Sequence, residues 1–276
     1  MLEALDVAVD AVLGLSFDAL SVPQILSVLA RLERVAWRLP VPGQLLVTRL
    51  ARQATPANLG GCALRTVLAA EHQTAGRGRH GRSWATPKGS QLAMSVGVPT
   101  DSVSADQWGW LPLLTGVAVA EAVRELTGVA ARLKWPNDVM VGEQKLAGIL
   151  AEVAGPVIVV GIGLNVALTA DEAPVPTATS LAMLGYPDID RNLLAADILG
   201  RLAEGIEAWR VGAGEAVSAD YRRLSVTLGR QVRVQLPGDR EITGMAIDID
   251  ATGGLVIDDG TSRQTVAAGD IVHLRP

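Results

Sequence analysis

The sequence predicts an α+β fold: a mixed sheet covered by helices, preceded by a helical segment and followed by a small β-barrel. Three observations support this prediction. Apolar residues recur at spacings of three and four from Ile25 to Leu39, which is the period of a helix face. Short apolar runs follow from Thr66, and hairpin turns join several of them. After about residue 225, alternating strands separated by glycine turns are typical of a five-stranded barrel.

Residues 1–66 are interpreted as a helical segment of different character from the rest. Ser21 begins a capping-box pattern in which Gln24 takes the third helical position. Proline and two glycines in TPANLGG (55–61) end the segment. The first residues lack the basic region of a signal peptide, and a single cysteine, Cys62, excludes an intrachain disulfide. We therefore expect a cytoplasmic protein.

Residues 67–224 are interpreted as one domain, and residues 225–276 as the barrel. Strands are predicted at 66–71, 91–98, 131–135, 137–141, 145–154 and 157–166, and helices at 106–127 and 190–210. The most apolar run, 108–123, is shorter than the roughly 20 residues of a membrane span and contains a proline and a glycine. We expect it to be a buried core helix, with no membrane association.

The composition argues against two classes of function. The formal net charge is −5, and such a chain lacks the general basic surface that nucleic-acid phosphates require. Three histidines and one cysteine are too few and too scattered for a zinc site.

The stretch GRGRHGRSW (76–84) concentrates arginine and glycine in an acidic chain. Its GRGRHG matches the G-x-G-x-x-G pattern of a dinucleotide site, but that site requires a helix to open at the third glycine. Pro87 and Gly89 leave no room for such a helix, so we reject this interpretation.

The remaining interpretation of 76–84 is a flexible lid over a phosphate-bearing ligand. Arg77, Arg79 and Arg82 repel one another, and glycines raise the entropy cost of ordering the loop. Both costs are offset when phosphate oxygens pair with the guanidinium groups. The alternative is a solvated basic turn. The buried strand before the loop and the motifs after it favour the lid.

A second group of polar residues lies in LKWPNDVMV (133–141) and KLAGILAE (145–152). The chain has three lysines, and Lys134 and Lys145 lie in this one predicted hairpin. An ammonium group can approach a reacting carboxylate or phosphate as a point charge. Asp138 is an oxygen ligand suited to Mg²⁺, which usually bridges a carboxylate and nucleotide phosphates. The alternative is an ordinary hairpin with a solvated turn.

Two further positions suit a ligand. Gly148 lies mid-strand, where a missing side chain lets a ligand approach the backbone. Asn165, at the end of GIGLNV, offers a donor and an acceptor that would suit an adenine edge.

In the order AEHQTAGRGRHGRSW, KWPNDVMVGEQKLAGILAE and GIGLNV, followed by a small barrel, the chain resembles biotin protein ligase from about Val67 to its end. The resemblance implies a ligase fold with an SH3-like C-terminal barrel, ATP and biotin as substrates, and Mg²⁺. Biotin would be activated to biotinyl-5′-AMP and then transferred to a lysine of a biotin carboxyl carrier domain, such as that of acetyl-CoA carboxylase.

The resemblance also implies residue roles. Biotin would be bound by Gln73, Gly76, Arg77, Lys145 and Gly148. The nucleotide would be bound by Arg79, Arg82, Lys134, Asn137 and Asn165. Lys145, Arg77 and Asp138 would be catalytic, Asp138 would hold Mg²⁺, and Gly76, Gly78 and Gly81 would give the lid its flexibility.

One part of the family pattern is missing. The family carries a strand and a Thr-Gly-Ser-Thr-Asn stretch before the basic loop, and its small polar side chains bind the ureido ring of biotin. The nearest segment here, QATPANLGG (53–61), has a different spacing. Residues 17 to about 61 instead resemble the helical N-terminal region of repetitive proteins that often end in an HNH nuclease domain. Each lost hydrogen bond to a buried ureido group would cost roughly 1–3 kcal/mol.

Three alternatives follow. The chain could be a catalytically impaired fusion product that keeps the nucleotide site but has a damaged biotin pocket. It could be a biotin-responsive DNA-binding regulator, although the arginines at 31–52 are explained more simply as solvated helix positions. Lipoate ligation is a sibling chemistry on a related fold, but the pairing of KWPND with GRGRHGR favours biotin.

Overall fold

The computed structural model describes residues 66–70, 72–73, 76–84, 86–100, 103–155, 157–212, 214–236, 240–267 and 269–274. The predicted N-terminal helices, and the segment 53–61, lie outside the described residues.

A six-stranded sheet forms the centre of the fold. Its strands are β1 (Thr66–Ala70), β4 (Gln91–Pro99), β5 (Arg132–Lys134), β6 (Asp138–Val141), β7 (Gln144–Ala154) and β8 (Val157–Asn165). They pair in the order β1-β4-β8-β7-β6-β5, and each of these pairings is antiparallel. The parallel component consists of two isolated bridges, Leu133–Ser225 and Lys145–Ala178. The strands predicted from the sequence are confirmed to within one or two residues at most ends.

A two-stranded hairpin, missed by the sequence prediction, lies inside the basic loop. It consists of β2 (Gly76–Arg77) and β3 (Ser83–Trp84), joined through a single 3-10 turn at Arg79–Gly81. The chain therefore enters a strand after Gly81, which agrees with the rejection of a dinucleotide-binding helix at this point.

In the part of the chain that the structure describes, three α-helices accompany the sheet: α1 (Trp110–Thr127), α2 (Arg191–Arg210) and α3 (Gly214–Leu224). α1 begins four residues later than predicted, because Ala105–Gln107 form a separate 3-10 turn. Sequence analysis missed α3. The sequence pattern that indicates this helix is the spacing of Val217, Tyr221 and Leu224, which are all buried and lie on one helix face.

α1 packs against one face of the sheet, and its apolar run is buried as predicted. Gly116 lets the helix approach closely, because a Cβ there would lie 3.2 Å from Leu133 Cδ2 and 3.6 Å from Ile149 Cδ1. Among the helices that the structure describes, none combines the length and apolarity needed to cross a membrane.

The C-terminal part is a second antiparallel sheet of five strands. They are β9 (Gln231–Leu236), β10 (Arg240–Ile249), β11 (Leu255–Asp258), β12 (Arg263–Val266) and β13 (Asp270–His273), paired in the order β12-β11-β10-β9-β13. The predicted five strands are confirmed, while their closure into a barrel stays a prediction.

Hydrogen bonds and an ion pair join the C-terminal part to α1, α3 and the turn after β5. The indole Nε1 of Trp110 donates to Ala251 O at 3.0 Å, and that of Trp135 donates to Gly253 O at 3.0 Å. Arg222 Nε lies 2.6 Å from Asp248 Oδ1. The loop at 250–254 is thus held against the helix and hairpin that border the first sheet.

We expect Val160→Ala, in β8, to lower the free energy of unfolding by about 2–3 kcal/mol, since it removes buried methyl groups and leaves a cavity. Val160 is 0% exposed and Val153, in β7, is 61% exposed. The control Val153→Ala has the same loss of strand propensity and should cost less than ~0.5 kcal/mol. Urea unfolding measures both variants, and equal losses would contradict this account of the core.

Candidate active site

A cavity of about 700 Å³ lies on the face of the sheet opposite α1. The basic loop, residues 174–178 and the C-terminal sheet border it. The eleven site residues named from the sequence all line this cavity: Gln73, Gly76, Arg77, Arg79, Arg82, Lys134, Asn137, Asp138, Lys145, Gly148 and Asn165. The fold thus brings into one place residues that are up to 92 positions apart in the sequence.

The floor of the cavity is a row of cross-strand partners that spans the six-stranded sheet. Strand register places side by side Ala70, Ala93, Gly163, Gly148, Asp138 and Lys134. The first four residues have a methyl group or no side chain, so they form a shallow trough. The last two place a carboxylate and an ammonium group at one end of it.

The indole ring of Trp84 lies directly on this trough. A Cβ on Gly163 would lie 2.9 Å from Trp84 Nε1, and a Cβ on Gly148 would lie 3.2 Å from Trp84 Cζ3. Trp84 Nε1 donates to Gln91 Oε1 at 2.7 Å, which fixes the ring in its plane. Sequence reasoning singled out Gly148 but missed Trp84 and Gly163. The sequence pattern that indicates an open floor at Gly163 is GIG (161–163), where two glycines share one strand face.

Lys145 and Asp138 form an ion pair beside the indole. Lys145 Nζ lies 2.6 Å from Asp138 Oδ1 and 5.2 Å from the centroid of the Trp84 ring. A Cβ on Gly148 would come within 3.1 Å of Lys145 Nζ. The same glycine therefore makes room for both the ring and the ammonium group.

The backbone of Lys145 is held by the segment that borders the cavity. Its N–H donates to Thr177 O at 2.6 Å, and its carbonyl accepts from Thr179 N at 3.0 Å. These bonds fix the direction from which the lysine side chain enters the cavity.

The basic loop is closed against the sheet. Gly76 pairs with Trp84, and a Cβ at Gly76 would overlap the Trp84 carbonyl oxygen, so a larger residue would force the hairpin apart. Arg77 Nη1 lies 3.8 Å from Glu152 Oε1, with both side chains 40% exposed. Glu152 is a third residue that sequence reasoning missed.

Arg79 joins three parts of the chain. Its Nη1 lies 3.2 Å from Gly269 O, in the C-terminal part, and 3.4 Å from Asn137 Oδ1. Asn137 Nδ2 in turn donates to Ile149 O at 2.9 Å, and Ile149 N donates to Asn137 O at 2.9 Å. Asn137 therefore orients Arg79 and is itself fixed to β7.

Asn165 is buried at the end of β8. Its Nδ2 donates to Thr179 O at 2.9 Å, whereas its Oδ1 is buried without a hydrogen-bond partner among the described residues. An unsatisfied buried acceptor is costly, and a ligand N–H in the cavity could satisfy it.

Comparisons with known proteins agree with this arrangement. The model of the biotin/lipoate A/B protein ligase family matches residues 58–167, and that of the biotin protein ligase C-terminal domain matches residues 227–274. A biotin–[acetyl-CoA-carboxylase] ligase of Mycobacterium tuberculosis is 49% identical over 229 residues, which cover 82% of this chain and 84% of that protein. This chain belongs to the biotin protein ligase family.

Solved structures of biotin protein ligases share the fold. One from Aquifex aeolicus, in complex with biotin and ATP, has a TM-score of 0.69 and 29% identity, over 83% of this chain and 94% of that one. The Leishmania major ligase with biotinyl-5-AMP has a TM-score of 0.56 and 26% identity, over 85% and 95%. The bifunctional ligase/repressor BirA of Escherichia coli is 35% identical, and the match covers 68% of this chain and 60% of that protein.

The first family match begins at residue 58, inside the segment that the sequence interpretation assigned to the N-terminal region. The predicted domain boundaries at 66/67 and 224/225 stay predictions. The individual residue roles also stay predictions, although every one of these residues lines the cavity of this biotin protein ligase family member.

The charged side chains that line the cavity suit an anionic ligand. The described lining of the cavity carries five cationic side chains, Arg77, Arg79, Arg82, Lys134 and Lys145, against the carboxylates Asp138 and Glu152. In a chain of net charge −5, this is a local excess of positive charge.

The residues present fit one mode of Mg²⁺ binding. Among the described residues there is no cluster of three or more metal-ligating side chains, and Asp138 is paired with Lys145. Mg²⁺ usually needs only one or two protein carboxylates when phosphates and water supply its other ligands. The site therefore suits Mg²⁺ that arrives with nucleotide phosphates, and Asp138 would be its protein ligand.

We expect Gly163→Ala to push Trp84 off the trough, because the new Cβ would lie 2.9 Å from the ring. Without this anchor the basic loop should open, and trypsin should cleave after Arg77, Arg79 and Arg82 about threefold faster or more. Gly161→Ala is the control, since its Cβ would make only ordinary contacts with Leu150, at 3.5 Å from O and 4.0 Å from Cβ. Equal cleavage rates in the two variants would contradict the role of the glycine floor.

We expect His273→Gln to flatten the fall in stability on acidification. Burial, with smaller effects from Lys134 and Arg230, lowers the pKa of His273 from 6.5 to about 4. Between these values the unfolded chain binds a proton that the folded chain does not, so the free energy of unfolding falls as the pH falls. Urea unfolding at pH 7, 5.5 and 4.5 would reveal this. The difference in free energy of unfolding between the wild type and His273→Gln should change with pH. A difference that stays constant would contradict this role of His273.

Proposed function

We propose that this chain joins biotin to a lysine of a carrier protein in two steps, with ATP as the source of energy. The observation that carries the proposal is a trough on the sheet that ends at the Lys145–Asp138 pair and is surrounded by five cationic groups. Sequence identity of 49% to a biotin–[acetyl-CoA-carboxylase] ligase supports it. Similar structures that contain biotin with ATP, or biotinyl-5-AMP, support it too.

In the first step, a carboxylate oxygen of biotin attacks the α-phosphorus of ATP. The new bond gives biotinyl-5′-AMP, and pyrophosphate leaves. Lys145 and Arg77 would draw the carboxylate and the α-phosphate together, and Arg79 and Arg82 would bind the remaining phosphates. Negative charge concentrates on the phosphate in the transition state, so preorganised cations lower the barrier.

Mg²⁺ would neutralise part of the phosphate charge when it is bound with ATP. Asp138 would be its ligand from the protein. Lys134, at the end of the same row, would add positive charge, and Asn165 Oδ1 would accept a hydrogen bond from the adenine amino group.

In the second step, the amine of the carrier lysine attacks the carbonyl carbon of the mixed anhydride. An amide bond forms, AMP leaves, and the amine loses a proton. Asp138 lies at the end of the trough, where its carboxylate would accept a hydrogen bond from the incoming neutral amine and orient it once Lys145 holds the ligand.

The partner in this proposal is the biotin carboxyl carrier domain of acetyl-CoA carboxylase or of a related carboxylase. The reaction needs neither a membrane nor nucleic acid, and we propose that it takes place in the cytoplasm.

The test is incubation of the full chain with biotin, MgATP and a purified carrier domain, read by mass spectrometry. The expected result is a mass increase of one biotin on the carrier. Pyrophosphate release that does not depend on biotin, with no mass increase, would instead identify the impaired fusion product. A salt-dependent mobility shift with DNA, and no mass increase, would favour a regulator.

We expect Lys145→Ala to lower the rate of biotin-dependent pyrophosphate release by about 10²-fold or more, because it removes an ammonium group at the reacting centre. Lys88→Ala is the matched control, since Lys88 is an exposed lysine that does not line the cavity. Similar rates in both variants would overturn the assignment of Lys145.

A further inference from the structure

We propose that Thr227 is a positioning residue for the nucleotide side of the site, acting through the turn at residues 135–137. Thr227 does not line the cavity, and no role follows for it from the motifs of the sequence. The proposal deepens the proposed function and rests on it.

The segment at 225–227 runs along the outer edge of the six-stranded sheet. β5 is the last strand of this sheet, and Leu133 forms an isolated parallel bridge with Ser225. Val226 N donates to Leu133 O at 2.8 Å. Thr227 therefore lies beside the point where β5 ends and the turn toward Asp138 begins.

The hydroxyl oxygen of Thr227 accepts the next backbone hydrogen bond along this edge. Trp135 N donates to Thr227 Oγ1 at 3.1 Å, and both residues are buried, at 1% and 0% exposure. Pro136 has no N–H, so the N–H of Trp135 is the last backbone donor before Asn137. Without the hydroxyl group this N–H would be buried and unsatisfied.

A second contact gives the hydroxyl group a direction. Thr227 Oγ1 lies 3.2 Å from His273 Nε2, on β13. A neutral imidazole that carries its proton on Nδ1 accepts the hydroxyl proton at Nε2. The lone pairs of Thr227 Oγ1 then face the N–H of Trp135. Ser225 Oγ accepts from Thr227 N and Leu228 N, each at 3.2 Å, and fixes the bend of this segment.

The turn held in this way carries groups that the reaction needs. Asn137 orients Arg79, and Asp138 pairs with Lys145. The indole of the same Trp135 is held by Gly253 O, so the C-terminal part binds this residue at both its backbone and its side chain. Small displacements of catalytic groups are costly because alignment supplies much of the rate. Loss of the hydroxyl group should therefore disturb the nucleotide side more than the biotin side.

The chain offers a matched control in Thr115, on α1. It is also 0% exposed, and its Oγ1 donates to Leu111 O at 2.8 Å. Thr115→Val removes a buried, hydrogen-bonded hydroxyl group just as Thr227→Val does, but away from the cavity. The cost of replacing a buried hydroxyl group by a methyl group is thus common to the two variants, whereas only Thr227→Val also leaves the N–H of Trp135 without its acceptor.

The experiment measures steady-state biotin-dependent pyrophosphate release and melting temperature for the wild type, Thr227→Val, Thr227→Ser and Thr115→Val. We expect Thr227→Val to lower kcat/KM for ATP about tenfold, with the KM for biotin changed less than about twofold. Thr227→Ser keeps the hydroxyl group and should restore kcat/KM to within about threefold of wild type. Thr115→Val should lower the melting temperature alone.

Three results would overturn the proposal: a kcat/KM for ATP in Thr227→Val equal to that in Thr115→Val, a KM for biotin that rises as much as kcat/KM for ATP falls, or no restoration by serine. An inactive wild type would instead refute the proposed function. In that case, hydrogen exchange of the amides at 133–141 decides the positioning role. Exchange faster in Thr227→Val than in Thr115→Val supports it, and equal exchange overturns it.

Discussion

The contact between a flat indole ring and a glycine floor is the constraint on which the rest of the site depends. Trp84 can lie on the sheet only because the cross-strand partners Gly148 and Gly163 have no Cβ. The ring anchors the basic loop over the cavity and lies beside the ammonium group of Lys145. The absence of a side chain at two positions thus places both the basic loop and the lysine beside it.

The cations of the site have partners that a ligand can replace. Lys145 pairs with Asp138, and Arg77 faces Glu152, with all four side chains between 24% and 40% exposed. Ion pairs this accessible to water contribute only about 0–1 kcal/mol each. An acyl adenylate, which brings phosphate oxygens within reach of the same groups, competes with such pairs easily. Asp138 and Glu152 therefore reduce the repulsion among the cations, and their ion pairs are weak enough for a ligand to displace them.

The C-terminal sheet is part of the site. The loops beside its strands accept the hydrogen bonds of Trp135 and, through Gly269 O, of Arg79. The hairpin that carries Asp138 is therefore bordered on one side by its own sheet and on the other by the C-terminal part. The turn that leads to Asp138 is consequently held in part by the C-terminal residues Thr227 and Gly253.

The sequence by itself predicted the strands of the two larger sheets, the two longer helices and, through the family resemblance, eleven of the residues that line the cavity. These depend on local signals: periodicity, glycine turns, and motifs such as GRGRHGR and KWPND. Only the tertiary structure decided which glycines form the trough, that Trp84 fills it, and that Thr227 meets Trp135 across 92 positions. Strand register and the docking of two sheets set these contacts. Both depend on side chains far apart in the sequence, so no local pattern encodes them.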